Sequence, residues 1–81
     1  MVIYLKLRLL DLLPKQKARI LKFEGGIGFQ KNLRSRGIRE GKIVEVIARQ
    51  PIGGPIVISI DRRKTAIGRG MANKIIVEAT Q

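Results

Sequence analysis

Phe29-Gln30-Lys31-Asn32-Leu33-Arg34-Ser35-Arg36-Gly37-Ile38-Arg39-Glu40-Gly41-Lys42-Ile43-Val44-Glu45-Val46 is the stretch whose reading decides the fold. Phe29 and Leu33 are four residues apart and share one face of a helix, while Lys31, Arg34 and Ser35 fall on the other. A short helix near Phe29 to Arg36 follows, one side packed and the other wet. If Gly37 takes the left-handed conformation, Leu33 and Ile38 become the apolar pair that closes a Schellman ending. Gly41 permits a second sharp turn, and beyond it Val44, Val46 and Ala48 alternate as one side of a strand. A capped helix therefore feeds directly into a sheet.

Outward from this stretch the chain reads as short strands divided by turns. Ile3, Leu5, Leu7 and Leu9 alternate with Tyr4, Lys6 and Arg8, the pattern of a half-buried strand over 3–9. Asp11 is placed to cap a single turn through Leu12 and Leu13, which Pro14 ends. A second strand spans 17–23, with Arg19, Leu21 and Phe23 on one face and Ala18 and Ile20 on the other. Gly25-Gly26-Ile27-Gly28 reads as a connecting turn, with an anion cradle as the lesser alternative, because the dinucleotide pattern would need glycine where Lys31 stands.

Pro51-Ile52-Gly53-Gly54-Pro55 joins two antiparallel strands, with Gly53 and Gly54 supplying positive φ. Ile56, Ile58 and Ile60 then alternate with Val57 and Ser59. A turn at Asp61-Arg62-Arg63 leads into a strand over 64–67. One helical turn around Met71 and Ala72 precedes a closing strand over 74–79. Thirteen isoleucines and five valines suit a pleated surface. The expected class is all-β: a small barrel of about five to six strands with one short helix and a helical turn before the last strand, closed so that no edge is left exposed.

At 81 residues the chain is expected to form a single domain over 1–81 with a small core. Its 17 Lys and Arg outweigh 6 Asp and Glu, a formal net charge of +11 that attracts nucleic acid, anionic lipid and acidic protein faces alike. Neither cysteine nor histidine occurs, which excludes disulfides and thiolate or imidazole metal sites. Charges interrupt the first apolar stretch and no segment approaches membrane-crossing length, so a cytoplasmic chain is expected. The acids Asp11, Glu24, Glu40, Glu45, Asp61 and Glu78 stand singly, and no nucleophile has an adjacent base. The reading is therefore not an enzyme. Tyr4, Phe23 and Phe29 are the only aromatic residues, too few for a base-stacking platform. No specific nucleic acid is expected, and a basic nucleic-acid-binding module stands as the alternative. The candidate contact face is the helix region from which Lys31, Arg34, Arg36 and Arg39 project.

The run from Leu33 to Val46, Pro51-Ile52-Gly53-Gly54-Pro55-Ile56, Ala66-Ile67 and Ala72-Asn73-Lys74-Ile75-Ile76-Val77-Glu78 resembles the ferrous iron transport protein A (FeoA) family. The likeness extends back through Leu9-Leu10-Asp11-Leu12 and from Gln16 to Ile20. Lys15 stands where the family usually has glycine, and residues 1–8 extend the usual start as an N-terminal strand. The resemblance implies an SH3-like barrel and a cytoplasmic accessory protein of ferrous iron uptake. Its implied partner is the membrane iron permease with its GTP-binding domain. Docking is expected through Lys31, Arg34, Arg36 and Arg39 and through Pro51, Gly53, Gly54 and Pro55. Iron is expected as cargo and no cofactor or metal as a resident, because the net positive charge opposes cation capture. Similar domains serve metal-responsive repressors, so a stand-alone regulatory domain is a further alternative. Peripheral contact with an anionic membrane, and pairing of strand 3–9 with a second copy, complete the expectations.

Overall fold

The helix ending is the best-specified local feature. In a computed structural model describing residues 2–80, Gly37 has φ +80°. The Ile38 amide donates to the Leu33 carbonyl at 3.0 Å and the Gly37 amide to the Arg34 carbonyl at 3.0 Å. These are the two bonds of a Schellman motif. Leu33 and Ile38 are both fully buried, as the apolar pair of that motif requires. The helix so ended, α1 (Ile27–Ser35), begins two residues before the expected start.

The other elements are β1 (Tyr4–Arg8), a 3-10 turn (Leu9–Asp11), β2 (Lys17–Phe23), β3 (Ile43–Arg49), β4 (Ile56–Ile60), β5 (Arg63–Ile67), α2 (Arg69–Ala72) and β6 (Ile75–Thr80). They form one six-stranded antiparallel sheet in the order β1-β6-β2-β3-β4-β5. The all-β class, the helix and the helical turn before the last strand all hold. Closure does not: β1 and β5 end the order, so two edges remain. Met1, the first residue of the expected extension, lies outside the described residues.

Three local expectations need correction. The turn after β1 occupies Leu9–Asp11 and not Leu12 and Leu13, and Asp11 sits at its end, where its side chain caps nothing. In β2 the pairing with β6 slips by one residue between Ile20 and Lys22. That bulge returns Phe23 to the face of Ala18 and Ile20, and all three are buried. The apolar side of β1 is only partly covered, because that strand has β6 alone as a neighbour. Leu5 keeps 41% of its surface and Ile3 51%.

The core is continuous, built from Leu9, Leu12, Ile20, Leu33, Val44, Val46, Ile56, Ile58, Ile67, Ile75 and Val77. On the outer face of the sheet opposite charges stand in register. Lys6 faces Glu78, which faces Arg19, and Lys17 faces Glu45. Such cross-strand pairs favour this register over a shifted one.

Candidate functional site

Nine of the basic residues are arginines, and the fold divides them into two groups. Five bond to the protein itself. The Arg8 guanidinium donates to Glu24 Oε1 and to the Asn73 carbonyl, both at 2.6 Å. Arg19 donates to the Gly41 carbonyl at 2.9 Å. Arg49 reaches the carbonyls of Leu10 and Leu12, fastening the 3-10 turn to β3. Arg69 donates from Nε to the Gly54 carbonyl at 3.0 Å and from Nη2 to the Gln50 carbonyl at 3.2 Å, bracing the β3–β4 turn. A planar five-donor group suits this task, since one side chain satisfies two carbonyls at once.

Arg34 is the fifth. It donates to Glu40 Oε2 at 2.8 Å and to Gln30 Oε1 at 3.3 Å, with its guanidinium carbon 5.9 Å from the centre of the Phe23 ring. The Glu40 carboxyl is held below the usual carboxylate range, first by a backbone amide and then by this bond from Arg34. Glu24 is lowered likewise, by the hydrogen bond from Arg8 and by its charge. Arg34 is thus occupied within its own fold.

Lys31, Arg36 and Arg39 are exposed, and among the described residues none has a carboxylate within ion-pair distance. Lys31 projects from α1. Arg36 caps its end. Arg39 follows in the turn into β3. Of the four helix-region residues singled out in the sequence, these three present unneutralised charge to solvent.

Pro51, Gly53, Gly54 and Pro55, the other candidate contact group, form the turn between β3 and β4. The Gly54 amide donates to the Pro51 carbonyl at 3.2 Å and the Gln50 amide to the Pro55 carbonyl at 3.1 Å. Positive φ falls on Ile52 (58°) and Gly53 (72°), and not on Gly54. Gly54 is needed for space instead: a Cβ there would lie 2.7 Å from Gln50 Cβ. The two groups sit at opposite ends of β3. Its seven residues span about 20 Å, so one small flat partner surface would not cover both.

What the fold does gather near Arg36 is Arg63 and Lys64, two residues of the run Arg62-Arg63-Lys64. A cleft of about 630 Å³ has Arg36, Ile38, Ile60, Arg63 and Lys64 among its lining residues. The sequence signal was the charge run itself, but nothing local pairs it with the end of α1.

Among the described residues no three of Asp and Glu converge, and the chain has no His or Cys, so its donor set does not fit a resident transition-metal ion. No helix among the described residues is long and apolar enough to cross a membrane.

Comparison with known proteins agrees with this architecture. The family described as FeoA domain matches residues 7–79. A protein of Methanocaldococcus jannaschii, provisionally named Fe(2+) transport protein A, is 42% identical over 59 residues, covering 73% of this chain and 70% of that protein. A crystal structure of an iron uptake regulatory protein, FeoA, superposes with a TM-score of 0.85 at 28% identity, over 95% of this chain and all of that one. Stenotrophomonas maltophilia FeoA, determined with zinc, is described as an SH3 domain protein and a candidate ferrous iron transport activating factor. It superposes with a TM-score of 0.78 at 18% identity over 93% of this chain and 95% of its own, which establishes the common SH3-like fold.

Proposed function

Because this chain belongs to the FeoA family of ferrous iron transport, we propose that it is a cytoplasmic accessory protein of iron uptake, acting by contact with the membrane iron permease and its GTP-binding domain. The observation that carries the contact reading is the set of unneutralised cations on α1 and just beyond it, Lys31, Arg36 and Arg39. They stand on a fold whose other arginines are largely engaged internally. Iron is the cargo of the system and is not held by this chain, in which no three acids converge among the described residues and which has no imidazole or thiolate.

The mechanism follows from rigidity and charge. The Schellman ending fixes the direction in which Arg36 and Arg39 leave the helix, so a complementary acidic face is met with little ordering of the backbone. Docking there biases the permease or its GTP-binding domain toward one of its conformations by differential contact. The Pro51–Pro55 turn, at the other end of β3, is the second candidate docking surface.

The test is a binding titration of the purified permease and of its isolated GTP-binding domain. The triple variant Lys31→Glu, Arg36→Glu, Arg39→Glu is expected to weaken binding by at least about tenfold. Undiminished binding by a folded triple variant, with loss in a Pro51→Ala, Pro55→Ala variant, would move the contact to the other end of the barrel. No binding of the wild-type chain to either target would remove the proposal.

A further inference from the structure

The sheet ends at β5, whose only strand neighbour is β4. Among the described residues no backbone hydrogen bond outside the sheet reaches Arg63 through Ile67, so the outer edge of this strand has no protein partner. Arg63, Lys64 and Ala66 are exposed. Arg63, Lys64 and Thr65 of this strand line the cleft described above together with Arg36, Gly37 and Ile38.

The charge around the edge is unbalanced. Asp61 is the one carboxylate lining the cleft, and it is taken by Lys42 Nζ at 2.7 Å. Arg36, Arg62, Arg63 and Lys64 have no carboxylate within ion-pair distance among the described residues. Arg62 also occupies the second central position of the β4–β5 turn with φ +67°, where glycine is the unstrained choice. Exposed as it is, Arg62 gains no packing there that would offset the strain.

We propose that the outer edge of β5 receives an extended, carboxylate-rich segment of a partner protein as an added strand, with its acidic side chains meeting Arg36, Arg63 and Lys64. Strand addition satisfies the unpaired edge through main-chain bonds, and side chains at alternate positions supply the selectivity. A second copy of this chain is a poor occupant, because it would bring like charges into register at +11 per chain. A nucleic acid strand offers no alternating N–H and C=O groups, and no aromatic side chain lines the cleft to stack on its bases. The surface shares Arg36 with the docking set proposed above, but Arg63 and Lys64, on which the test turns, lie outside that set, so the inference stands without the transport reading.

The probe is a fluorescent peptide of about ten residues with glutamates in adjacent pairs separated by valine, so that carboxylates project to both faces of the added strand, titrated by anisotropy, with amide shifts followed by NMR. Saturable binding is expected, with the largest shifts in residues 63–67. An Arg63→Glu, Lys64→Glu variant is expected to weaken it by about tenfold or more. Lys15→Glu, Lys22→Glu, which removes the same charge elsewhere, is expected to change it by less than about threefold. A peptide of the same sequence with every backbone amide N-methylated has no N–H to donate to the edge and is expected to bind weakly. The proposal is overturned by no binding, by equal binding of the N-methylated peptide, by equal loss in both double variants, or by shifts centred on β1. Single-stranded DNA that outcompetes the peptide at matched charge would also overturn it.

Discussion

Ile52 is the residue whose replacement tests the backbone reasoning most directly. It occupies the first central position of the β3–β4 turn with φ +58°, followed by Gly53 at +72°, so the turn has the paired positive angles of type I′. A β-branched side chain in that region is a steric outlier costing about 1–2 kcal/mol. Ile52 is also fully exposed, at 101% of its reference surface, so no lost packing offsets the gain when it is removed. Ile52→Asn is therefore expected to stabilise the fold by about 1 kcal/mol, raising Tm by about 4–8 °C for a domain of this size. Ile52→Gly relieves the same strain but gives the unfolded chain more freedom, so its gain is smaller, by about 0.5–1 kcal/mol. Ile52→Val keeps the branch and is expected to be neutral. Urea unfolding followed by circular dichroism ranks the three. An Asn variant no more stable than the Val variant would refute the assignment of strain to this turn.

Three further outcomes follow from other parts of the fold. Gly37→Ala is expected to cost about 1–2 kcal/mol in the same assay, from the left-handed backbone alone, because nothing lies within 4 Å of the added Cβ. Arg49→Met leaves the Leu10 and Leu12 carbonyls without their donor, with an expected loss of about 1–3 kcal/mol and faster amide exchange around the 3-10 turn. The lowered Glu40 carboxyl contributes stability that is fully present above the ordinary carboxylate range and is lost as pH falls through that range and below it. Glu40→Gln should flatten the acid limb of the stability profile, measured by urea unfolding from about pH 7 to about pH 3, while leaving the neutral limb parallel to wild type.

How much of this was legible in the sequence differs by element, for physical reasons. The end of α1 was readable because one glycine and two apolar residues at fixed offsets specify it, with all partners within six positions of one another. The strands were readable from alternation, but their phase was not. A bulge at Leu21 costs one residue, and no local pattern distinguishes it from uninterrupted pleating. The turn at 52–53 was expected to draw on both glycines, whereas Gly54 is held by its closeness to Gln50 and the positive angle passes to Ile52. The candidate site was least legible. Arg34 and Arg36 look alike in sequence, yet one is engaged by Glu40 and Phe23 and the other is not. Arg8 finds a carbonyl 65 residues away, a pairing that only the completed sheet creates.

The place of β6 in the sheet bears on how the molecule is made. It is the last strand in chain order, yet it lies between β1 and β2 and is the only strand that β1 pairs with. On the ribosome, β3, β4 and β5 emerge as a meander of neighbours and can pair at once, while β1 must wait until Ile75–Thr80 has left the exit tunnel. During that interval Ile3, Leu5 and Leu7 have no sheet to lie on. Chaperone capture of the nascent chain should therefore concentrate at residues 3–7 and end abruptly once β6 is free to pair with β1.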